Sequence, residues 1–158
     1  MATTSYAIAL GSNRRSRHGS PEATLRAALA EIGGVRAVSK IRTTPALGPA
    51  GRSFANAAAI VESRLEPDAL LDRLKAIERA FGRRPGRRWG QRVLDLDIIL
   101  WSGGAWASPG LVIPHPAFRE RGFVLGPLAP LAPDWRDPVS GRTMRQLRAR
   151  LTARRPLP

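Results

Sequence analysis

Two carboxylates, Asp95 and Asp97, stand two residues apart within the otherwise apolar run 93–100. That run is rich in aliphatic and β-branched residues, which is typical of a β-strand. Side chains alternate faces along a strand, so both carboxylates would lie on one face and the aliphatic residues between them on the other. Neighbouring carboxylates repel each other and are costly to desolvate, and a divalent cation between them offsets both costs. The pair therefore indicates a site for a hard cation.

A loop just before this strand, interrupted by glycine and proline, carries five arginines: Arg83, Arg84, Arg87, Arg88 and Arg92. Guanidinium groups bind phosphate oxygens through paired hydrogen bonds, so arginines beside cation ligands favour a polyphosphate held by both. Taken alone, an Asp-x-Asp pair is more often a solvated strand face than a site, and a Gly/Arg loop can be ordinary surface. The adjacency of the two features makes chemistry the better interpretation.

Composition sets the class of protein. A chain of 158 residues fits one domain over 1–158, and the absence of cysteine excludes disulfides, thiol nucleophiles and zinc–thiolate sites. No apolar run approaches the roughly 20 residues of a membrane helix, and no export signal is present, so we expect a cytoplasmic protein. The net charge of +14 suggests an anionic partner or compositional drift. Drift explains most of it, because arginine is spread over the whole chain.

Hydrophobic periodicity and capping residues predict strands over 6–10, 35–43, 53–62 and 93–100, and helices over 21–32, from Pro67 to Phe81 and after Thr143. A short edge strand over 105–107 and an extended segment over 127–133 complete the prediction. Elements in this order form a split βαβ arrangement: an α+β sandwich with two helices on one face of an antiparallel sheet and a C-terminal helical extension. The opposite face would stay free for a ligand. Glu78 falls near the end of the second helix, where sequence alone favours a flank residue paired with Arg79 or another neighbour.

Several short motifs occur together, over residues 9–13, 44–49, 54–57, 88–98, 114–115 and 121–123. The longest of them, from Arg88 to Ile98, closely resembles the signature of the 6-hydroxymethyl-7,8-dihydropterin pyrophosphokinases, a family of folate biosynthesis. The other motifs follow in the order and spacing of that family along nearly the whole chain. The resemblance implies a ferredoxin-like fold and transfer of the β,γ-diphosphate of ATP to the hydroxymethyl group of the pterin, with release of AMP.

The same resemblance implies two Mg²⁺ ions, ATP as co-substrate, and three loops that close over the substrates, here about 13–19, 44–53 and 82–92. Asp95 and Asp97 would hold the metal ions, and the catalytic residues would be Arg83, Arg92 and Asp97. The residues implied to bind ATP are Glu78, Arg83, Arg84, Trp89, Arg92, Ile98, His115 and Arg121. Those implied to bind the pterin are Thr44, Ala46, Leu47, Phe54, Asn56 and Phe123; the two rings would stack on its faces, and the Asn56 amide would read its edge. Which of the loop arginines reaches a phosphate is left open.

Other functions fit parts of the pattern. A small basic split βαβ domain could bind RNA through aromatic residues on its sheet, but the acidic pair and the missing aromatic strand motif argue against it. A metal- or nucleotide-binding regulator would fit if the pocket had degenerated. A P-loop kinase is excluded because the chain has no G-x-x-x-x-G-K-[ST] segment. We therefore expect a monomeric pyrophosphokinase whose partners are ATP and the pterin, without nucleic acid or membrane.

Overall fold

The computed structural model describes residues 2–44, 53–82 and 93–154 of the chain. Within these ranges five strands form the main sheet: β1 (Thr4–Ser12), β2 (Val35–Val38), β3 (Arg42–Thr44), β4 (Phe54–Ser63) and β5 (Asp95–Trp101). The strands run in the order β2-β4-β1-β5, β3 also pairs with β4, and every neighbouring pair is antiparallel. This order is that of the split βαβ arrangement, so the expected α+β fold is confirmed.

Two helices, α1 (Pro21–Ile32) and α2 (Pro67–Ala80), pack on one face of the sheet. The first begins as predicted, because the Ser20 hydroxyl accepts a hydrogen bond from the Ala23 amide and Pro21 occupies the first helical position. The apolar stripes of both helices meet the aliphatic face of β1, β4 and β5 in one core cluster. Because Leu96 belongs to this cluster, its two acidic neighbours in β5 lie on the opposite face.

Further elements cover part of that opposite face. Helices α3 (Gly122–Leu131) and α4 (Met144–Arg154), with a 3-10 turn at Phe118–Glu120, enclose a second core cluster against the sheet. The expectation that the whole face stays free is therefore wrong, although the sheet remains open near the end of β1. The predicted capping box starts α4: the Thr143 amide donates to Oε1 of Gln146, and the Gln146 amide donates to the Thr143 hydroxyl.

A separate hairpin follows the main sheet. Strands β6 (Trp106–Ser108) and β7 (Leu111–Ile113) pair with each other, so the edge strand predicted over 105–107 exists with its start shifted by one residue. The hairpin leads directly to His115, whose amide donates to the Ile99 carbonyl at 3.0 Å. This bond attaches the segment that carries His115 to β5.

The strand predicted over 35–43 is interrupted and forms β2 and β3. The Ser39 amide donates to the Ala58 carbonyl, and the Ala58 amide donates to the Ser39 hydroxyl, each at 2.9 Å. A side-chain bond thus replaces one bond of the ladder. Between the pairs Val38–Ala59 and Arg42–Asn56, the segment that joins β2 to β3 therefore contains one residue more than the facing part of β4, as in a β-bulge.

The extended segment predicted over 127–133 is wrong, because residues 122–131 form α3 in spite of Pro127 and Pro130. Proline removes an amide donor from a helix interior, which normally disfavours the helix. Here the buried apolar residues of the segment outweigh that cost: Val124, Leu125, Leu128 and Ala129 all belong to the second core cluster.

None of the helices in the described ranges has both the length and the apolar character needed to cross a membrane.

Candidate active site

Two strands, β4 and β5, place polar side chains on the open part of the sheet, on either side of β1. Gly11 lies opposite Asn56 in the β1–β4 ladder and opposite Asp95 in the β1–β5 ladder. Residues directly opposite each other share a face, so the amide and the carboxylate rise from the same face on either side of Gly11. Asp97 follows on that face, opposite Ala9.

This end of the sheet borders a cleft of about 430 Å³. Phe54 and Phe123 line this cleft, and their side chains are 47% and 53% exposed. Exposed aromatic rings in a concavity are typical of a binding site. The residues that line the cleft are Gly11, Ser12, Asn13, Thr44, Phe54, Asn56, Asp95 and Phe123. The structure thus brings together four of the predicted pterin-binding residues and one of the two predicted metal ligands.

Three of the lining residues were not among the predicted site residues: Gly11, Ser12 and Asn13, although all three belong to the motif over 9–13 and Asn13 begins the loop expected to close over the substrates. Ser12 and Asn13 are polar but only 3% and 8% exposed, at the end of β1. A Cβ on Gly11 would lie 3.2 Å from Oδ1 of Asn56, so the glycine leaves the space that this amide occupies. The signal that could have identified them is a polar cluster directly after an apolar strand, a position where binding residues are often found.

Asp95 and Asp97 are both half-buried on the face that carries the cleft. Their donor set suits Mg²⁺, which prefers oxygen ligands, accepts one or two carboxylates from a protein, and completes its coordination with water and phosphate oxygens. Partial burial strengthens the repulsion between two carboxylates, because the surroundings screen it less than water does. The residues present therefore fit the divalent ion that the sequence predicts.

His115 lies near both Asp97 and Arg121. Burial lowers the pKa of His115, the charge of Asp97 opposes this effect, and the charge of Arg121 adds to it. Nδ1 of His115 accepts a hydrogen bond from the Ala117 amide at 3.1 Å, so the neutral ring carries its proton on Nε2. The guanidinium of Arg121 also lies over the Phe123 ring, with Cζ 5.6 Å from the centroid. Two predicted ATP-binding residues thus lie close to each other, one near Asp97 and the other against a ring that lines the cleft.

Glu78 is buried, whereas the sequence alone favours a residue on the flank of the helix, paired with Arg79 or another neighbour. Its side chain is 5% exposed, and Oε2 accepts a hydrogen bond from the Leu96 amide at 2.7 Å. Leu96 lies between Asp95 and Asp97, so α2 anchors the main chain of β5 directly between the two carboxylates. The flank interpretation fails because helical periodicity does not show where a neighbouring strand presents an amide. The ATP contact of Glu78 stays a prediction.

Ile98 is 3% exposed, and its side chain belongs to the core beneath α1 and α2. It therefore points to the face of β5 opposite the two carboxylates, and its ATP contact stays a prediction. Six further predicted site residues lie outside the described residues: Ala46, Leu47, Arg83, Arg84, Trp89 and Arg92. Arg87 and Arg88 lie there too, so the choice among the loop arginines stays open.

The fold and the cleft define a class of protein: a ferredoxin-like α+β domain with an aromatic-walled small-molecule cleft beside paired carboxylates. Residues 7–133 match the model of the family described as 7,8-dihydro-6-hydroxymethylpterin-pyrophosphokinase (HPPK). The chain belongs to this family. Enzymes of the family are pyrophosphokinases with ATP as co-substrate.

Similar proteins carry the corresponding name. A 2-amino-4-hydroxy-6-hydroxymethyldihydropteridine pyrophosphokinase of Synechocystis sp. is 41% identical over 128 residues, which cover 78% of this chain and 66% of that protein. One of Pseudomonas aeruginosa is 46% identical over 114 residues, covering 72% and 70%. The chain therefore spans about two thirds of the length of these relatives.

Solved structures show the same fold. Wild-type Plasmodium falciparum HPPK-DHPS with STZ-DHP superposes with a TM-score of 0.75 at 14% identity, covering 97% of this chain and 44% of that one. The S436F/A437G/A613S triple mutant with SDX-DHP gives a TM-score of 0.73, also at 14% identity, covering 97% and 45%. At this identity the similarity concerns the fold alone, and it extends over almost the whole chain.

Proposed function

We propose that the chain transfers the β,γ-diphosphate of ATP to the hydroxymethyl group of 6-hydroxymethyl-7,8-dihydropterin and releases AMP, a step of folate biosynthesis. The observation that carries the proposal is the cleft, in which two exposed aromatic rings, an amide and a carboxylate line one concavity in a chain of this family. The names of the relatives support the same reaction class. Family membership also favours this reaction over the RNA-binding alternative.

The pterin is proposed to lie between Phe54 and Phe123. A flat heterocycle between two rings gains apolar burial and stacking, and each aromatic pair contributes about 0.5–1.5 kcal/mol beyond the buried area. The Asn56 amide, which has both donors and an acceptor, reads the edge of the ring. Thr44 contacts the pterin from the neighbouring strand. Ala46 and Leu47 are proposed to complete this part of the site.

The polyphosphate of ATP is proposed to lie beside the pterin, over Asp95 and Asp97. Two bound Mg²⁺ ions would neutralise the polyphosphate and polarise its oxygens. The two carboxylates hold these ions, and Nε2–H of His115 and the guanidinium of Arg121 donate hydrogen bonds to phosphate oxygens. The remaining ATP ligands of the proposal are Glu78, Arg83, Arg84, Trp89, Arg92 and Ile98.

The proposed reaction is a displacement at the β-phosphorus. The hydroxymethyl oxygen forms a bond to that phosphorus, the bond from it to the α,β-bridging oxygen breaks, and AMP leaves with the bridging oxygen. The charge of the transition state spreads over phosphoryl oxygens, so positioning and electrostatic stabilisation dominate. The cleft orients the alcohol, Arg83 and Arg92 stabilise the phosphoryl oxygens, and Asp97 is our candidate for accepting the hydroxyl proton. The single domain over 1–158, the monomeric state and the cytoplasmic location stay predictions from the sequence.

The nucleotide product tests this proposal. The purified chain is incubated with ATP, Mg²⁺ and the pterin alcohol, and the nucleotides are separated by ion-exchange chromatography. We expect AMP in equal amount to the pterin diphosphate, and no AMP when the pterin or Mg²⁺ is omitted. ADP as the product would mean γ-phosphoryl transfer and would contradict the proposal.

A matched pair of variants tests the pterin position. Phe123 and Val139 are both exposed apolar residues, but only Phe123 lines the cleft. Phe123→Ala should raise the KM for the pterin about tenfold through lost stacking and burial, and Val139→Ala should leave it unchanged. An equal KM in the two variants would show that the pterin does not stack on this ring.

A further inference from the structure

Helix α3 contains a carbonyl that its own helix cannot satisfy. In an α-helix each carbonyl accepts a hydrogen bond from the amide four residues later. The residue four positions after Gly126 is Pro130, which has no amide hydrogen. Gly126 is buried, and a buried carbonyl without a donor is costly. The helix therefore needs a donor from elsewhere at this position.

Arg42 of β3 supplies that donor. Its Nη2 donates to the Gly126 carbonyl at 3.2 Å. The missing side chain at Gly126 allows the approach, because a Cβ there would lie 2.7 Å from Nη1 of Arg42 and 3.3 Å from its Cζ. The guanidinium thus packs directly against the helix surface. The arginine, the glycine and Pro130 together form one contact between β3 and α3.

Both ends of this contact lie next to a wall of the cleft. Arg42 lies opposite Asn56 in the β3–β4 ladder, so its side chain leaves the sheet on the face of the cleft. Phe54 is two residues from Asn56 on the same strand face. At the other end, Gly126 follows Phe123 by three residues, about one turn along the same side of α3. The contact therefore connects β3 to α3. Strand β3 pairs with β4, which carries Phe54, and α3 carries Phe123.

We propose that Arg42 is a positioning residue, which sets the separation of Phe54 and Phe123 by tying β3 to the Gly126 carbonyl. The inference rests on the proposed function, because it places the pterin in the gap between the two rings. A flat ligand gains stacking on both faces only when that gap matches its thickness, so small displacements of one wall weaken binding. Arg42 acts through α3 and needs no contact with the substrate.

Two single variants break the contact from opposite ends. Arg42→Met keeps most of the apolar stem and removes the donor. Gly126→Ala adds the Cβ that displaces the guanidinium, and alanine suits a helix better than glycine, so this variant keeps its helix. The matched control is Arg36→Met, which removes an exposed arginine that is paired with Glu62 at 3.0 Å on the same sheet.

Steady-state kinetics with each substrate varied in turn separates positioning from a general structural effect. Each single variant should raise the KM for the pterin about five- to tenfold, the fold-change that matches one hydrogen bond, and leave the KM for ATP unchanged. The double variant should be no worse than the worse single variant, because both changes remove the same contact. The thermal midpoint of each single variant should fall by about 2–4 °C, because the buried Gly126 carbonyl loses its donor, and Arg36→Met should leave both KM values and the midpoint unchanged.

An unchanged pterin KM in both variants would overturn the proposal. A rise in Arg42→Met alone would also overturn it, since the guanidinium would then act on the substrate directly. Parallel rises in the KM for the pterin and the KM for ATP would mean a structural role only and would also overturn the proposal. A wild-type chain that forms no AMP overturns the proposed function, whereas an active wild type with any of these variant results overturns the positioning role alone.

Discussion

Asp137 is a fully buried carboxylate that anchors the segment 115–121 by binding Arg119. Its oxygens accept hydrogen bonds from the guanidinium of Arg119, from the Ser140 hydroxyl at 2.7 Å and from the Val139 amide at 3.0 Å. Arg119 belongs to the 3-10 turn within that segment. Asp137→Asn removes the charge with almost no change in volume, so it tests the electrostatic part of this anchor.

The pKa of Asp137 gives the magnitude. Burial by itself would raise the pKa, but the hydrogen bonds from Arg119, Ser140 and the Val139 amide outweigh it and lower the pKa from 3.8 to about 2. At about 1.36 kcal/mol for each pH unit, this lowering corresponds to roughly 2 kcal/mol of stability at neutral pH. A depressed pKa stabilises the fold fully above 3.8, and the contribution disappears as the pH falls towards 2.

Urea unfolding of wild type and variant at several pH values measures this contribution. Near neutral pH, Asp137→Asn should lower the free energy of unfolding by about 2 kcal/mol, and the difference from wild type should shrink as the pH falls below about 4. The control Asp134→Asn removes an exposed carboxylate that pairs with Arg145 at 3.3 Å, and it should have little effect at any pH. Equal losses of stability in the two variants, or an Asp137 difference that does not depend on pH, would exclude this electrostatic contribution.

Three further predictions concern the sheet beneath the cleft. Asp97→Asn should reduce AMP formation at least about 100-fold without lowering the urea midpoint, because it removes a charge and no core volume; wild-type turnover would contradict the ligand role. Glu78→Ala should lower the free energy of unfolding by about 2–3 kcal/mol because the Leu96 amide loses a buried acceptor, and Glu78→Gln should cost less because it keeps one; equal costs in urea unfolding would count against the anchor. Gly11→Ala should raise the KM for the pterin about threefold or more by crowding the Asn56 amide, with the KM for ATP unchanged; equal changes in both would exclude a local effect.

Local patterns were sufficient to predict the elements that position the cleft. Strict alternation over 53–62 separates Phe54 and Asn56 from the alanines that face the core, and the burial of β4 confirms this. The cap at Ser20 and the capping box at Thr143 also form as predicted. In each case the deciding interactions lie within a few residues of each other, so the sequence window contains them.

The features that the sequence did not reveal depend on distant partners. Helix α3 contains two prolines, and the donor that satisfies its Gly126 carbonyl comes from Arg42, far away in the chain. The Leu96 amide that donates a hydrogen bond to Glu78 belongs to β5, the strand that follows α2. No local pattern identifies such partners, because tertiary packing decides them after the elements have formed.

The candidate site was predictable in part. The resemblance indicated Thr44, Phe54, Asn56 and Phe123 for the pterin, and the structure places all four around one cleft, while their binding roles stay predictions. Spacing alone placed Asp95 and Asp97 on one face of a strand, because a period of two is the simplest consequence of strand geometry. The role of Gly11 depends on a close approach across the sheet, which only the ladder register shows.

Asp95 and Asp97 are proposed to bind the divalent ions that bring ATP to the cleft. Isothermal titration calorimetry with an ATP analogue that has a methylene group in the α,β-bridge measures nucleotide affinity without turnover. The wild-type chain should bind this analogue at least about tenfold more tightly with Mg²⁺ than with a chelator. The double variant Asp95→Asn, Asp97→Asn should bind it with the same weak affinity in both conditions, and a double variant that keeps the full Mg²⁺ dependence would contradict the claim.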